Sequence, residues 1–242
     1  MERWRRTRAP RPHVRGGRPG RPVGRGHPAQ AFDRAVRLIV ATRLSIFPLP
    51  GAVLFPGLQL PLHIFEPRYR ALVGDALARD RRIAMIQPQG AGPDAPLFDV
   101  GCVGKIEEVE ALDDGRYNIV LTGEARFRVV RELEVTTAFR QVEGELLPDD
   151  ESAALSSVER AAFEQEARAF ADMQGYLVDW DSVARLDDRT LIDGVSQIAP
   201  FDTAAKQALL EAPTLSTRCE LLIQLMQFFG HGDPEEGRVT LQ

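Results

Sequence analysis

The amino-acid sequence predicts an α+β protein, a small closed or half-closed β-barrel with one inserted helix, followed by an α-helical bundle. Three observations carry this. Between residues 44 and 148, short apolar runs are punctuated by Pro and Gly, the pattern of short strands joined by turns. Inside that region, residues 67–79 instead show apolar side chains at helical spacing. Beyond Pro148 the strand signals stop, and apolar residues recur every three or four positions as far as Gly230. The chain therefore divides into a basic Arg/Pro/Gly-rich tail (1–43), a β subdomain (44–148), a helical subdomain (149–230) and a C-terminal tail (231–242).

In the β subdomain Leu44-Ser45-Ile46-Phe47 is the first apolar run, and Val53-Leu54-Phe55 and residues 58–65 follow across Pro-Gly breaks. Proline has no N–H to give a ladder, so these strands should lie at edges or begin at the prolines. Pro67 suits the first position of a helix, where its missing N–H costs no hydrogen bond. Tyr69, Leu72, Val73, Ala76 and Leu77 form that helix's apolar stripe. Ile83-Ala84-Met85-Ile86, bounded by Pro88, is too short for a second helix and reads as a strand; residues 89–96 are a loop. From Phe98 the pattern is strongly β, and Asp113-Asp114-Gly115 marks a hairpin turn. Tyr117, Ile119 and Leu121 alternate with Asn118, Val120 and Thr122, as in a half-exposed strand. Gly123-Glu124-Ala125 leads into a run over residues 126–130, and a last strand covers 140–146. Seven or so short strands around one helix suggest the barrel.

In the helical subdomain Leu155, Val158, Ala162, Phe170, Met173 and Leu177 line one side of a helix starting near residue 152, and Gly175 weakens its end. Residues 189–198 form a short helix. Asp202 is placed to N-cap the next, which Pro213 stops. Thr214 or Ser216 caps the last, where Leu215, Cys219, Leu222, Met226 and Phe229 fall at helical intervals before Gly230.

Composition narrows the function classes. Of 242 residues, 44% are hydrophobic and 27% charged, ordinary for a globular protein with its own core. No apolar run approaches the roughly 18 residues that a membrane span needs. Two distant cysteines, Cys102 and Cys219, make neither a disulfide framework nor a metal knuckle. They read as small buried hydrophobes in a reducing, cytoplasmic compartment.

The net charge of −5 hides an asymmetry: residues 1–43 carry twelve Arg and two acids, so the remainder carries −15. Repelling arginines with Pro and Gly cannot build a core, so the tail is expected to be disordered. It is either an over-extended reading frame, with translation starting near Val36 or Val40, a flexible tail, or an arm that holds nucleic-acid phosphates.

Several stretches resemble the N-terminal domain of Lon proteases. They are Phe47-Pro48-Leu49-Pro50, Val53-Leu54-Phe55-Pro56-Gly57 and the run from Leu60-Pro61-Leu62-His63 through Glu66-Pro67-Arg68-Tyr69-Arg70. Gly101-Cys102-Val103-Gly104-Lys105-Ile106, Asp114-Gly115-Arg116-Tyr117 and Gly123-Glu124-Ala125-Arg126-Phe127-Arg128-Val129 look like later strands of that family, in the same order and spacing. The resemblance covers about residues 44–230. It implies a PUA-like β-barrel with a helical subdomain, and a module that recognises unfolded or tagged polypeptides, with a protease among its expected partners.

Lon proteases continue into an AAA+ ATPase and a Ser–Lys peptidase. Here Gly104-Lys105 is followed by Ile106 with no glycine five residues earlier, so no phosphate cradle is formed. The two lysines, Lys105 and Lys206, lie near no recognisable nucleophilic serine. The expectation is a free-standing protein-binding module that is not an enzyme and needs no cofactor or metal. The alternative is an RNA-binding PUA-like protein, opposed by the −15 body, which repels a polyanion.

His63, alone within the expected fold, has no sequence-evident partner for metal or base work and reads as structural. Asp113-Asp114, Asp149-Asp150-Glu151 and Asp187-Asp188 sit beside turn or cap signals and read as solvated turn residues. In Arg126-Phe127-Arg128, strand alternation puts Phe127 in the core and both arginines in solvent. The peptide-binding candidates are Val53, Leu54, Phe55 and Leu58, crowded between Pro and Gly. They form either an exposed apolar edge for extended polypeptide or a plug at one end of the barrel.

Overall fold

In the computed structural model, residues 41–148 and 154–230 are described. The tail over 1–40, the Asp149-Asp150-Glu151 cluster and the C-terminal segment read from the sequence lie outside the described residues.

Six strands form a single sheet: β1 (Ala41–Pro48), β2 (Gln59–Ile64), β3 (Arg82–Ile86), β4 (Val100–Ala111), β5 (Tyr117–Leu133) and β6 (Gln141–Leu146). The order is β2-β5-β4-β3-β1-β6, with a further pairing of β5 to β6, so the ladder returns on itself through five strands. β1 and β3 are parallel; every other pair is antiparallel. The parallel pair requires a crossover, supplied by β2 and the inserted helix α1 (Pro67–Leu77). β2 pairs only with β5, and Pro61 is tolerated on that edge as expected.

β5 is long enough to serve three neighbours. Its first part pairs with β2, its last part with β6, and β4 runs alongside both. Register shifts put an extra residue into β5 at Glu124 and Val130 and into β4 at Glu107, and bulges of this kind bend the strands so that the ladder closes. Two strand expectations change here. Gly123-Glu124-Ala125 lies inside β5, and Val53-Leu54-Phe55 belong to no strand. The turn at Gly115 has φ +80°, which a residue without Cβ adopts freely.

Ile83-Ala84-Met85-Ile86 does not alternate because both faces of β3 are covered. Ile83 and Met85 join one buried cluster with Phe47, Tyr69, Leu72 and Ile106, while Ala84 and Ile86 join another with Leu44, Ile46, Phe127 and Val142. The stripe of α1 is buried as read, at Tyr69, Leu72, Val73 and Ala76.

The helical part comprises α2 (Ser157–Gln174), α3 (Trp180–Val183), α4 (Asp188–Ile198), α5 (Thr203–Glu211) and α6 (Leu215–Gly230). Ser156 and Glu159 form a reciprocal capping box at α2. Asp202 caps α5 as expected, accepting from the Ala205 N–H at 2.7 Å. α6 buries Leu215, Cys219, Leu222 and Met226, and α2, α4 and α5 all pack on it.

The expected face of α2 is corrected. Its buried side is Phe163, Phe170 and Ala171, with Val158, Ala162 and Met173 exposed and Leu177 fully exposed beyond the helix end. Residues 163 and 170 lie two turns apart on one stripe, whereas 158 is rotated well away from it.

A third buried cluster unites Val53, Phe55 and Val100 with Phe163, Leu191, Leu209, Leu222 and Met226. The two subdomains read from the sequence therefore share a core. No helix among the described residues is long and apolar enough to cross a membrane.

Candidate functional site

The structure first settles where the sequence candidates sit. Val53, Leu54 and Phe55 are 3%, 1% and 0% exposed, and Leu58 is half-buried against the same cluster as Val53 and Phe55. Backbone bonds pin this loop on β5: Gly57 N–H donates to Gly123 O and Gly123 N–H to Leu58 O, both at 2.9 Å. Gly123 makes this possible, since a Cβ there would collide with the Phe55 backbone. From the other side Gln197 Oε1 accepts the Phe55 N–H at 3.2 Å, and the Arg218 guanidinium lies 5.1 Å from the Phe55 ring centroid. The loop is thus sandwiched between sheet and helices, and the reading of its apolar residues as an exposed edge is overturned.

The pair of solvated arginines is corrected as well. Phe127 is buried and Arg128 exposed, but Arg126 is only 3% exposed and donates to the carbonyls of Leu210 and Ala212 at 2.9 and 2.8 Å. Other arginines of the sheet region are in ion pairs: Arg82 with Glu124, Arg131 with Glu143 and Arg140 with Glu132, each at 2.6 Å. His63 is exposed, with Nδ1 2.7 Å from Asn118 Oδ1. Both thiols are buried, and burial, helped by the nearby carboxylates of Glu159, Glu220 and Asp188, pushes Cys219 up to about 11.

Open apolar surface lies instead on the helical side. Eight of the twelve large hydrophobic side chains that are exposed among the described residues fall in 154–230. Five of these eight, Tyr176, Leu177, Val178, Leu186 and Ile198, line one groove of about 630 Å³. Its floor is Phe163, Phe170, Leu191 and Met226, all core residues.

The local chain geometry follows from a few residues. Gly175, at φ +71°, ends α2 in the left-handed conformation, and the Tyr176 N–H returns to Ala171 O at 2.9 Å. The chain then turns outward until Asp179 caps the single turn of α3, and Asp187 caps α4 by accepting from the Thr190 N–H at 2.9 Å. Arg160 on α2 holds the α3–α4 turn in place. It donates to Val183 O and Leu186 O, both at 3.2 Å, and pairs with Asp188 at 2.8 Å. Burial opposes its charge, but the hydrogen bonds it donates to Glu164 and Asp188 outweigh that and raise its pKa. A second cavity of about 670 Å³, beside β1 and α1, is lined by charged side chains including Arg43, Asp75, Arg79 and Glu124. Apolar lining distinguishes the helical groove.

Among the described residues, no cluster of titratable groups lines the groove. Among the described residues no group of three or more His, Cys, Asp or Glu is placed to hold a metal ion. Its chemistry is contact with apolar side chains.

The family described as the ATP-dependent protease La (LON) substrate-binding domain matches residues 43–227. The chain belongs to this family. Among curated relatives of the Lon domain, Lon protease 1 of Syntrophobacter fumaroxidans is 27% identical over 188 residues, which is 74% of this chain and 23% of the relative. Lon protease 2 of Sorangium cellulosum is 29% identical over 199 residues, 77% of this chain and 24% of the relative. The chain thus spans about a quarter of the length of the curated Lon proteases it matches.

Two solved Lon N-terminal domains share the fold. The Lon N-terminal domain protein from Xanthomonas campestris has a TM-score of 0.59 at 21% identity, covering 76% of this chain and 98% of that one. The N-terminal domain of the Mycobacterium avium complex Lon protease has a TM-score of 0.57 at 21% identity, covering 77% and 98%. Every residue of the groove falls within the stretch that the Lon substrate-binding family matches. Leu177 and Phe170 read from the sequence as one buried face, whereas Gly175 does not merely weaken the end of α2 but stops it, so Tyr176-Leu177-Val178 cannot continue the helix stripe.

Proposed function

We propose that this Lon-type domain is a non-catalytic module that binds unfolded or tagged polypeptides through the helical groove. The observation that carries the reading is the concentration of exposed apolar side chains in one groove of a substrate-binding family member. Exposed apolar surface of this kind gains free energy when it covers an apolar segment, which an unfolded chain presents and a native one hides. Five strands whose pairings return on themselves support a PUA-like barrel as the scaffold, and the helices packed on α6 support a bundle beside it. A cytoplasmic setting, where a protease would be the receiving partner, suits the two buried cysteines, which form no disulfide with each other. The RNA-binding alternative loses support because Arg126 faces a helix turn and Arg82 and Arg131 pair with carboxylates.

The test is binding of a labelled client, permanently unfolded by reduction and carboxymethylation, against its native form. The unfolded client is expected to bind and the native form not to. The Leu177→Ser/Ile198→Ser variant is expected to weaken binding at least about tenfold, since each side chain buries about 1.5–3 kcal/mol of apolar contact. Equal binding of both client forms, or no effect of the variant, would reject the reading.

A further inference from the structure

Resting on the polypeptide-binding reading, we infer that the groove selects apolar segments flanked by lysine or arginine. Four aspartates adjoin the groove's lining residues in the chain. Asp172 follows the lining residue Ala171, Asp179 sits between lining Val178 and Trp180, Asp181 follows Trp180, and Asp187 follows Leu186. All four are exposed.

Two of these carboxylates stay ionised well into mild acid. Hydrogen bonds from Ser182 hold Asp179 below the usual carboxylate range, and those from Thr190 do the same for Asp187. Of the cations nearby, one is paired with carboxylates and two keep their charge against neutral groups, so the four carboxylates outnumber the cations left uncompensated. Arg160 is paired with Glu164 and Asp188 at 2.6 and 2.8 Å, Arg168 lies over the Trp180 ring at 4.3 Å, and Arg185 donates to Ser182 Oγ at 2.8 Å.

The wider field has the same sign, since residues 44–242 carry −15. A cationic flank is drawn toward such a surface and an acidic one is repelled, while the apolar centre supplies the contact energy. Charge also argues against a second copy of this chain as occupant, because two surfaces of the same negative sign would have to meet.

Four fluorescein-labelled peptides test this by anisotropy against the full chain. Three share a Leu-Phe-Leu centre and carry two flanking Lys, Gln or Glu on each side; the fourth has the Lys flanks with a Ser centre. At low salt the Lys-flanked apolar peptide is expected to bind about fivefold or more tighter than the Glu-flanked one, from a few exposed charge contacts. At about 0.5 M salt that gap should fall to within about twofold.

Asp172→Asn/Asp179→Asn/Asp181→Asn/Asp187→Asn should erase the preference while keeping the apolar contribution. Asparagine caps helices as well as aspartate, so the fold is retained. Leu177→Ser/Ile198→Ser should weaken all three apolar peptides alike. If Lys- and Glu-flanked peptides bind equally and the groove variant weakens both, the charge inference is overturned and the polypeptide reading stands. If no apolar peptide and no unfolded client binds, both fall. If the Lys–Ser peptide binds as tightly as the Lys-flanked apolar one, or if sedimentation shows a dimer that Leu177→Ser/Ile198→Ser dissociates, the groove is not the proposed site.

Discussion

Arg126 and Arg218 approach one turn of backbone from two sides. Arg126, from β5, reaches the carbonyls of Leu210 and Ala212; Arg218, from α6, reaches Leu209 O at 2.9 Å and Ala212 O at 3.3 Å. These acceptors end α5, where a helix leaves carbonyls without internal partners and its dipole favours a cation. Arg218 also pairs with buried Asp193 at 2.5 Å. Arg218→Met removes that donor from a carboxylate in the interior and is expected to cost about 3–5 kcal/mol in urea unfolding. Arg126→Met removes its charge-assisted bonds to the α5 end but leaves no buried carboxylate unpaired, and is expected to cost about 1.5–3 kcal/mol, less than Arg218→Met. A loss below about 0.5 kcal/mol in either variant would contradict the account. Strand alternation correctly set Arg126 opposite Phe127. It could not reveal that the opposite face at that point is covered by a helix end, because periodicity specifies a face and not what lies against it.

At the level of elements, the regular stripes of α1 and α6 were legible because each buries one continuous face on a neighbour. The stripe of α2 was misjudged where exposed apolar residues mix with buried ones. Val158, Met173 and Leu177 offered a helical spacing that Phe163 and Phe170 satisfy in fact. The Pro-rich loop at 53–58 reads from the sequence as either edge or plug for a related reason: short apolar runs between prolines carry no period, so burial depends on the partner surface.

Helix ends also set a pH response. Asp187, capping α4, has its pKa lowered from 3.8 by hydrogen bonds from Thr190. A depressed folded value gives stability that is complete above the unfolded pKa and lost as pH falls through the folded one. Circular dichroism melts should therefore show a lower Tm at pH 3 than at pH 6. Asp187→Asn keeps a capping oxygen but cannot titrate, so its Tm should fall by less; an equal fall would discount the cap.

Across the molecule, the broad architecture was readable: strands first, one helix among them, then helices. The expected division at residue 148 was not the division of the core, since Val53, Phe55 and Val100 lie in one cluster with residues of α2, α4, α5 and α6. Consider an engineered protease site placed between residues 148 and 154 and cleaved after folding. Two separate lobes would drift apart, whereas these pieces should co-elute on size exclusion and part only in denaturant, and free elution of either piece would refute it. That joint has a mechanical reading too. The strip of chain at 53–58 works like a tenon glued into both boards, so prising the helices away from the sheet would have to pull Phe55 out of its socket, and any force a captive polypeptide exerts on the groove would be felt in the sheet.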